Sequence, residues 1–342
     1  MKSPKRKILI SIFIALASLL LGVLVGSVSI SFSDFCSILG NKFFALPLSV
    51  ETAEKLVTIL WDIRFPRVLS AFLVGGALSV SGATMQSLLQ NPLASSYTLG
   101  VSSGASLGIL ISIAFFSASS HYFLPPFFGF MGAFITVLLI LFIAARMDFS
   151  LQNGTIILLG MIFSLFINAI STMFSFMKRE TLEQLVFWQM GSLSSSSWKQ
   201  VSFLFVSILV LCFLIFRKHK ELDILSFGDE QAALLGISVQ SQKKLLFLFS
   251  SALTGICVAF SGIIGFVDFI TPHMVRNFFT PSHQYVLPMS FLFGGSFLVL
   301  SDLLSRTVLA PIELPVGTVT ALLGAPFFLF TWMKTRKKEG GI

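Results

Sequence analysis

Four ionisable side chains lie within or beside the apolar stretches near the end of this chain, and they are the first candidates for chemistry. They are Asp268, His273, Arg276 and Asp302. Ionisable groups inside a membrane are costly, and they typically carry protons or ions, face water, or pair with one another. Four are few for an ion relay, so an ion-coupled transporter stays as an alternative. For Asp268 we favour a local ion pair with Arg276 over a role in substrate choice.

Other patterns typical of catalysis or cofactor binding do not occur in the sequence. It contains no GxxxxGK[ST] phosphate loop, so we expect that the chain does not itself bind ATP. Cys36, Cys212 and Cys257 are far apart and share no metal-ligand spacing. No Ser/His/Asp arrangement lies within an apolar stretch. We therefore predict neither an enzyme nor a bound cofactor or metal for this chain.

The composition indicates the solvent in which these residues act. Of the 342 residues 55% are hydrophobic and 11% are charged, whereas soluble domains carry about 25% charged residues. The basic residues that produce the net charge of +8 cluster in 2–7, 217–244 and 334–338, with long uncharged runs between them. This distribution favours short cytoplasmic segments of a membrane protein and argues against nucleic-acid binding.

The apolar runs predict a single all-α membrane domain over 1–342 with about ten transmembrane helices. A helix needs about 20 apolar residues to cross the hydrocarbon core. The candidate spans are 8–30, 65–88, 95–116, 122–145, 152–176, 199–217, 240–261, 264–278, 284–303 and 315–334. An even number of spans places both termini on one side. Because both termini are basic, we expect both in the cytoplasm.

An internal repeat relates spans 2–5 to spans 7–10. SGATMQSLLQNP (81–92) matches SGIIGFVDFITP (261–272), and LLGMIFSLF (158–166) matches LLGAPFFLF (322–330). Five spans separate the partners, and since this number is odd the two halves would run in opposite directions. Inverted repeats are common in transporters. Pro92 and Pro272 close the first pair of motifs, and we expect each to break a helix.

The longest predicted cytoplasmic loop contains a short helix. In LDILSFGDEQAALLGISVQ (222–240), Asp229 is suited to cap the helix and Gly236 to end it in the left-handed conformation. Leucines and acidic residues on one short helix suit docking onto a soluble partner. A surface helix without a partner is the equally weighted alternative.

Three long motifs stand out along the chain: RFPRVLSAFLVGGALSVSGATMQSLLQNPLASSYTLGVSSGASLG (64–108), GDEQAALLGI (228–237), and GIIGFVDFITPHMVR through SDLLSRTVLAPIELPVGTVTALLGAPFFLF (262–330). In this order they resemble the FecCD family, the permeases of ABC importers for iron siderophores, haem and cobalamin. The resemblance implies a ten-helix subunit in the cytoplasmic membrane of a prokaryote. It also implies a second permease copy, two ATPase subunits that bind ATP and magnesium, and an extracytoplasmic binding protein. A ferric siderophore is the favoured cargo, with haem and cobalamin as alternatives.

The resemblance also implies roles for individual residues. Arg64, Arg67 and Arg306 match arginines that receive acidic side chains of the binding protein, although anchoring to lipid headgroups is an alternative. The residues that match the ATPase-coupling segment are Gly228, Asp229, Glu230, Ala233, Leu235 and Gly236.

A polar stripe on the fifth span is a candidate for the translocation pathway. Its residues recur every four positions, and they are Gly160, Ser164, Asn168 and Thr172. The family places this helix along the pathway, but helix packing explains the same spacing equally well. For the similar row Gly100, Gly104 and Gly108 on the third span, packing is the better interpretation.

Overall fold

In a computed structural model of the chain, the structure describes residues 4–26, 28, 30–45, 54–116, 122–147, 151–177 and 179–339. Over these residues the regular elements are all helical, which confirms the predicted all-α class. The helices are α1 Pro4–Leu24, α2 Phe32–Phe44, α3 Glu54–Val57, α4 Phe65–Leu88, α5 Val101–Phe115, α6 Leu124–Met147, α7 Asn153–Met177, α8 Arg179–Gln189, α9 Trp198–Phe216, α10 His219–Leu225, α11 Asp229–Leu234, α12 Val239–Ser261, α13 Val267–Phe278, α14 His283–Thr307 and α15 Val316–Glu339. A π-helical turn, Thr58–Arg64, joins α3 to α4.

Seven of the described helical stretches are long and apolar enough to cross a membrane, with α3 and α4 counted as one. Two shorter apolar helices, Val101–Phe115 and Val316–Phe330, accompany them. Helix α13 has 12 residues and is about 18 Å long, against about 30 Å of hydrocarbon core. A multi-pass membrane protein is thereby confirmed, whereas the number of ten spans stays a prediction.

The helices form two polar ends. At the first, which we call the arginine end, the start of α4 and the end of α14 meet the end of α1 through Arg64, Arg67 and Arg306. At the second, which we call the segment end, α10 and α11 meet the end of α4 and the starts of α12 and α14. Helix α4 therefore runs from the arginine end to the segment end, and α12 runs the other way.

The packing partners of these two helices agree with the predicted inverted repeat. Helix α4 packs on α12, α13 and α14, while α12 packs on α4, α5 and α6. Exchange of the two halves converts one set of contacts into the other. The matched motifs nevertheless differ locally, because Gly82 lies inside α4 whereas Gly262, with φ of +71°, follows the end of α12.

Small residues allow the helices to approach closely, which is the main source of packing energy in lipid. A Cβ atom on Gly75 would lie 2.3 Å from the Gly294 carbonyl oxygen, and one on Gly108 would lie 2.0 Å from the Phe128 carbonyl oxygen. A Cβ on Gly104 would lie 2.6 Å from the Gly132 carbonyl oxygen. The packing interpretation of the glycine row is confirmed for Gly104 and Gly108, whereas Gly100 precedes α5 with φ of +72°.

The prediction that Pro272 breaks a helix is wrong, since this residue lies inside α13. Proline has no N–H to donate to the carbonyl four residues earlier, which is that of Asp268. Gln86 of α4 donates its Nε2 to this oxygen at 3.2 Å instead. A neighbouring helix therefore satisfies the freed carbonyl, as is common for prolines in membrane helices. Pro92 lies in the turn after α4, as predicted.

Candidate functional site

The segment end carries two short helices, of which the sequence predicted one. Helix α11 begins at Asp229, and Gly236 follows its end with φ of +83°, as expected for a left-handed stop. The predicted capping by Asp229 is wrong, because Gly228 occupies the N-cap and the Asp229 carboxylate accepts from Lys243. Helix α10 was not predicted, since its first three residues continue the charged run that begins at Arg217.

Apolar side chains project from this segment without a partner in the described chain. The exposed fractions are 72% for Phe227, 88% for Leu234 and 67% for Leu235. Ala233 and Glu230 are also exposed, whereas Ala232 is buried against the rest of the fold. Exposed apolar groups on a polar surface indicate an interaction site.

A pocket of about 250 Å³ opens beside these side chains. Its lining residues are Gln90, Phe227, Gly228, Asp229, Glu230 and Gln231. Gln90 donates its Nε2 to the Leu225 carbonyl oxygen at 3.3 Å, which attaches the end of α4 to α10. The pocket thus lies between a membrane helix and the segment, and it is large enough for a side chain of a partner.

Two polar clusters attach the segment to membrane helices. In the first, Lys243 of α12 donates to the carboxylate of Asp229 and, at 2.8 Å, to Oδ1 of Asn153 at the start of α7. Its side chain is 0% exposed. A buried ammonium is tolerated only when it is paired and hydrogen-bonded, so this geometry has to be maintained for the fold to persist.

In the second cluster, Asp223 of α10 lies at the start of α14. Its carboxylate accepts from the His283 backbone N–H at 2.7 Å and lies 2.6 Å from Nδ1 of the same residue. The other ring nitrogen of His283 lies 2.6 Å from the Ser87 hydroxyl at the end of α4. With Nδ1 protonated, His283 donates to Asp223 and accepts from Ser87. Helices α10, α14 and α4 are thereby joined.

A local ion pair also stabilises α10. Burial acts to raise the pKa of Glu221, but the Lys218 ammonium at 2.9 Å, a backbone hydrogen bond and the charge of His219 together lower this pKa below its ordinary value. The pair therefore stays charged at neutral pH. Both side chains are about a quarter exposed, and the stabilisation is accordingly small.

At the arginine end, the three guanidinium groups are buried and bonded within the chain. Nε of Arg67 lies 2.9 and 3.1 Å from the two carboxylate oxygens of Asp302, and its Nη1 lies 2.9 and 3.0 Å from those of Glu313. Arg306 lies 3.5 Å from the same Asp302 and donates to the Gly22 carbonyl oxygen. Of the two carboxylates, Asp302 is buried and Glu313 is 46% exposed.

Arg64 bonds only to backbone among its described contacts. Its Nη1 donates to the carbonyl oxygens of Val23 and Leu24 at 3.1 and 3.0 Å, and its Nη2 donates to that of Val28. These carbonyls lie at and just beyond the end of α1, where helix carbonyls have no partner of their own. The lipid-anchoring alternative therefore finds no support from the position of this side chain, which is 4% exposed.

The polar stripe on α7 divides into a packed part and an exposed part. A Cβ on Gly160 would lie 2.1 Å from the Thr98 carbonyl oxygen, and the Ser164 hydroxyl lies 3.5 Å from that of Ser103. Asn168 and Thr172 are exposed on the described chain. The first two positions thus serve packing, and the last two remain free to line a pathway.

The predicted pair between Asp268 and Arg276 does not form. Asp268 is 2% exposed and accepts a hydrogen bond from the Ser95 hydroxyl, while Arg276 donates to Gln86. Because Gln86 also donates to the Asp268 backbone, an amide occupies the place that the salt bridge was expected to take.

The sequence did not single out Lys243 or Asp223. Lys243 stands next to Lys244 at the start of an apolar run, where both read as ordinary positive charges on the cytoplasmic side. A weak signal was available, because position 243 is four residues after Val239 and three before Leu246, on the apolar face of the helix. The partners of both residues are distant in sequence and could not be inferred from spacing.

Comparison with known proteins gives a consistent result. The model of the FecCD transport family matches residues 13–334. The vitamin B12 import system permease protein BtuC of Photorhabdus laumondii is 37% identical over 86% of this chain and 85% of that protein. The hemin transport system permease protein HmuU of Yersinia pestis is 36% identical over 86% and 88%. An iron chelatin transport system permease protein of Helicobacter pylori is 35% identical over 94% and 98%.

A solved structure shares the fold. It is an inward-facing conformation of a metal-chelate type ABC transporter, with 26% identity and a TM-score of 0.82. The superposition covers 96% of this chain and 99% of that chain. The arrangement of helices described above is therefore that of an ABC transporter membrane subunit.

Proposed function

Since this chain belongs to the FecCD transport family, we propose that it carries a ferric siderophore across the cytoplasmic membrane of a prokaryote. It is the permease subunit of an ABC importer and not an enzyme, because the family consists of transport subunits whose ATPase is a separate chain. The ion-coupled alternative is thereby replaced. ATP and magnesium are bound by the partner, and no cofactor belongs to the permease itself.

The segment end supports the proposal most directly. The exposed Leu234 and Leu235 of the segment, together with a pocket of about 250 Å³ that the exposed Phe227 lines, form a surface suited to a soluble protein. We infer that one ATPase subunit binds here on each of two permease copies. The segment end is then cytoplasmic, which agrees with the basic stretch 217–244, and we propose the same side for both termini because both are basic. Gly228, Asp229, Glu230, Ala233, Leu235 and Gly236 retain their proposed coupling role.

The arginine end would then face outward and receive the binding protein. Arg67 holds the buried Asp302 with its Nε, while its Nη1 is directed to Glu313, which is half-exposed. We infer that Glu313 occupies the position that a carboxylate of the binding protein takes on docking. The incoming carboxylate then displaces Glu313 from Arg67. Arg64 and Arg306 support this surface indirectly, because they fix the end of α1 against α4 and α14.

The pathway is proposed to run along the exposed face of α7 between two copies of the permease. Asn168 and Thr172 add polar groups to that face, whereas Leu165 and Phe166 beside them are 72% and 62% exposed. A face that mixes large apolar groups with a few polar ones suits a bulky chelate that binds weakly and passes on. The remaining exposed apolar surface contacts lipid.

The cargo is tested with the purified complex of permease, ATPases and binding protein in proteoliposomes. ATP hydrolysis is measured with ferric siderophores, haem and cobalamin in turn, each delivered by the binding protein. We expect a ferric siderophore to stimulate hydrolysis most. Haem and cobalamin are the alternatives that the relatives support, and stronger stimulation by either would replace the siderophore.

A further inference from the structure

The charged side chain of Lys243 is fully buried from solvent, and it connects the three helices α12, α11 and α7. It lies in the second turn of α12, and its partners are the first residue of α11 and the first residue of α7. Its ammonium donates one hydrogen bond to the carboxylate of Asp229 and one to the amide oxygen of Asn153. Asp229 is 34% exposed and Asn153 is half-buried, so the ammonium is closed off from water while each of its two partners borders the surface.

The cluster connects two helices, α11 and α7, that pack against different sets of neighbouring helices. Helix α11 packs chiefly on α10 and α12, whereas α7 packs on α5, α6 and α8. Lys243 thus connects the surface proposed to bind the ATPase to the helix proposed to line the pathway. Separating a buried ammonium from its partners is strongly unfavourable, so the start of α7 has to follow when α11 and Asp229 move.

We propose that Lys243 is the positioning residue that transmits movement of the segment to α7. The inference rests on the proposed function, since it assumes that the ATPases act on 222–240. A movement of α11 displaces Asp229, Lys243 follows its counter-ion, and the hydrogen bond to Asn153 draws the first turn of α7 along. Lys243 does not touch the cargo, and its effect is on the ratio of transport to hydrolysis.

Three variants of the full complex test the link. Lys243→Met keeps the length of the side chain and removes its charge. Asn153→Ala leaves the Lys243–Asp229 pair intact and breaks only the connection to α7. We expect this variant to fold even if Lys243→Met does not. Lys244→Met is the matched control, because Lys244 is the adjacent lysine and is exposed.

Uptake per ATP hydrolysed is measured in proteoliposomes for each variant beside the unaltered chain. We expect this ratio to fall about five- to tenfold for Lys243→Met and Asn153→Ala, the range in which coupling residues act, while ATPase binding and hydrolysis persist. Lys244→Met should keep the original ratio. A purely structural role would lower uptake and hydrolysis together, with the ratio unchanged.

The outcomes separate the inference from the proposed function. If Asn153→Ala keeps the original uptake per ATP, or if uptake and hydrolysis fall in parallel, the role of Lys243 is wrong and the ATPase-binding segment stands. If the ATPases do not bind the unaltered chain, the proposed function fails and the inference fails with it.

Discussion

Replacement of Arg67 by Met removes the main counter-ion of a buried carboxylate. Asp302 has a side chain that is 1% exposed, and its two oxygens share the Nε–H of Arg67 as donor, at 2.9 and 3.1 Å. The remaining cation is Arg306 at 3.5 Å. Loss of one partner of a buried ion pair costs about 3–5 kcal/mol, and because Arg306 compensates in part we expect a value near the lower limit.

Glu313→Gln is the matched control for this change. Glu313 loses its charge but is 46% exposed, so water replaces much of the lost interaction and the expected cost is below about 1 kcal/mol. Both variants are compared by unfolding in mixed micelles, followed by tryptophan fluorescence. Trp61 and Trp198 lie close to this end, with their rings 5.0 Å apart. An equal stability for the two variants would refute the structural role of Arg67.

Three further predictions concern packing, docking and coupling. Gly82→Ala places a Cβ 2.1 Å from the Asp268 carbonyl oxygen and should destabilise the fold by about 1–3 kcal/mol in the same unfolding assay. Gly154→Ala is the control, because a Cβ there meets open space and should leave the stability unchanged. Equal effects of the two variants would contradict the close packing. Glu313→Gln should also tighten capture of the loaded binding protein about threefold by removing the competitor of its carboxylate, and unchanged affinity in a pull-down would contradict displacement. Ala233→Trp adds bulk to the exposed face of α11 and should uncouple hydrolysis from uptake in proteoliposomes, so normal transport would argue against that interface.

The helices and their close contacts could be predicted from local patterns. Apolar length defines the spans, and rows such as Gly104 and Gly108 signal close approach because only glycine leaves room for a neighbouring backbone. Gly236 stops a helix for the same local reason, since a positive φ favours a residue without Cβ.

Long-range polar partners could not be predicted in this way. The pairing of Asp268 with Arg276 was inferred from proximity in sequence, yet Ser95 and Gln86 from the other half of the chain take those places. The Asp268 carbonyl, which Pro272 leaves without a helical donor, likewise accepts from the side chain of Gln86, 182 positions away. Such contacts depend on which helices pack against one another. The internal repeat predicts that the two halves run in opposite directions, but it does not predict which of their helices touch.

The arginine end shows how such contacts change the interpretation of a site. Residue type and family position favoured three guanidinium groups that receive acidic side chains of a binding protein, whereas Arg64, Arg67 and Arg306 are 4%, 5% and 7% exposed. Burial assigns them first to the connection between α1, α4 and α14. We therefore propose docking only at the guanidinium of Arg67, whose partner Glu313 is partly open to water.

The most direct test of the account is uptake of a radiolabelled ferric siderophore into proteoliposomes that contain the permease, the ATPases and ATP, with binding protein outside. We predict uptake that requires ATP and disappears when the ATPase is replaced by a hydrolysis-deficient variant. Uptake that continues without the ATPase, or that follows an imposed proton or sodium gradient, would contradict the account.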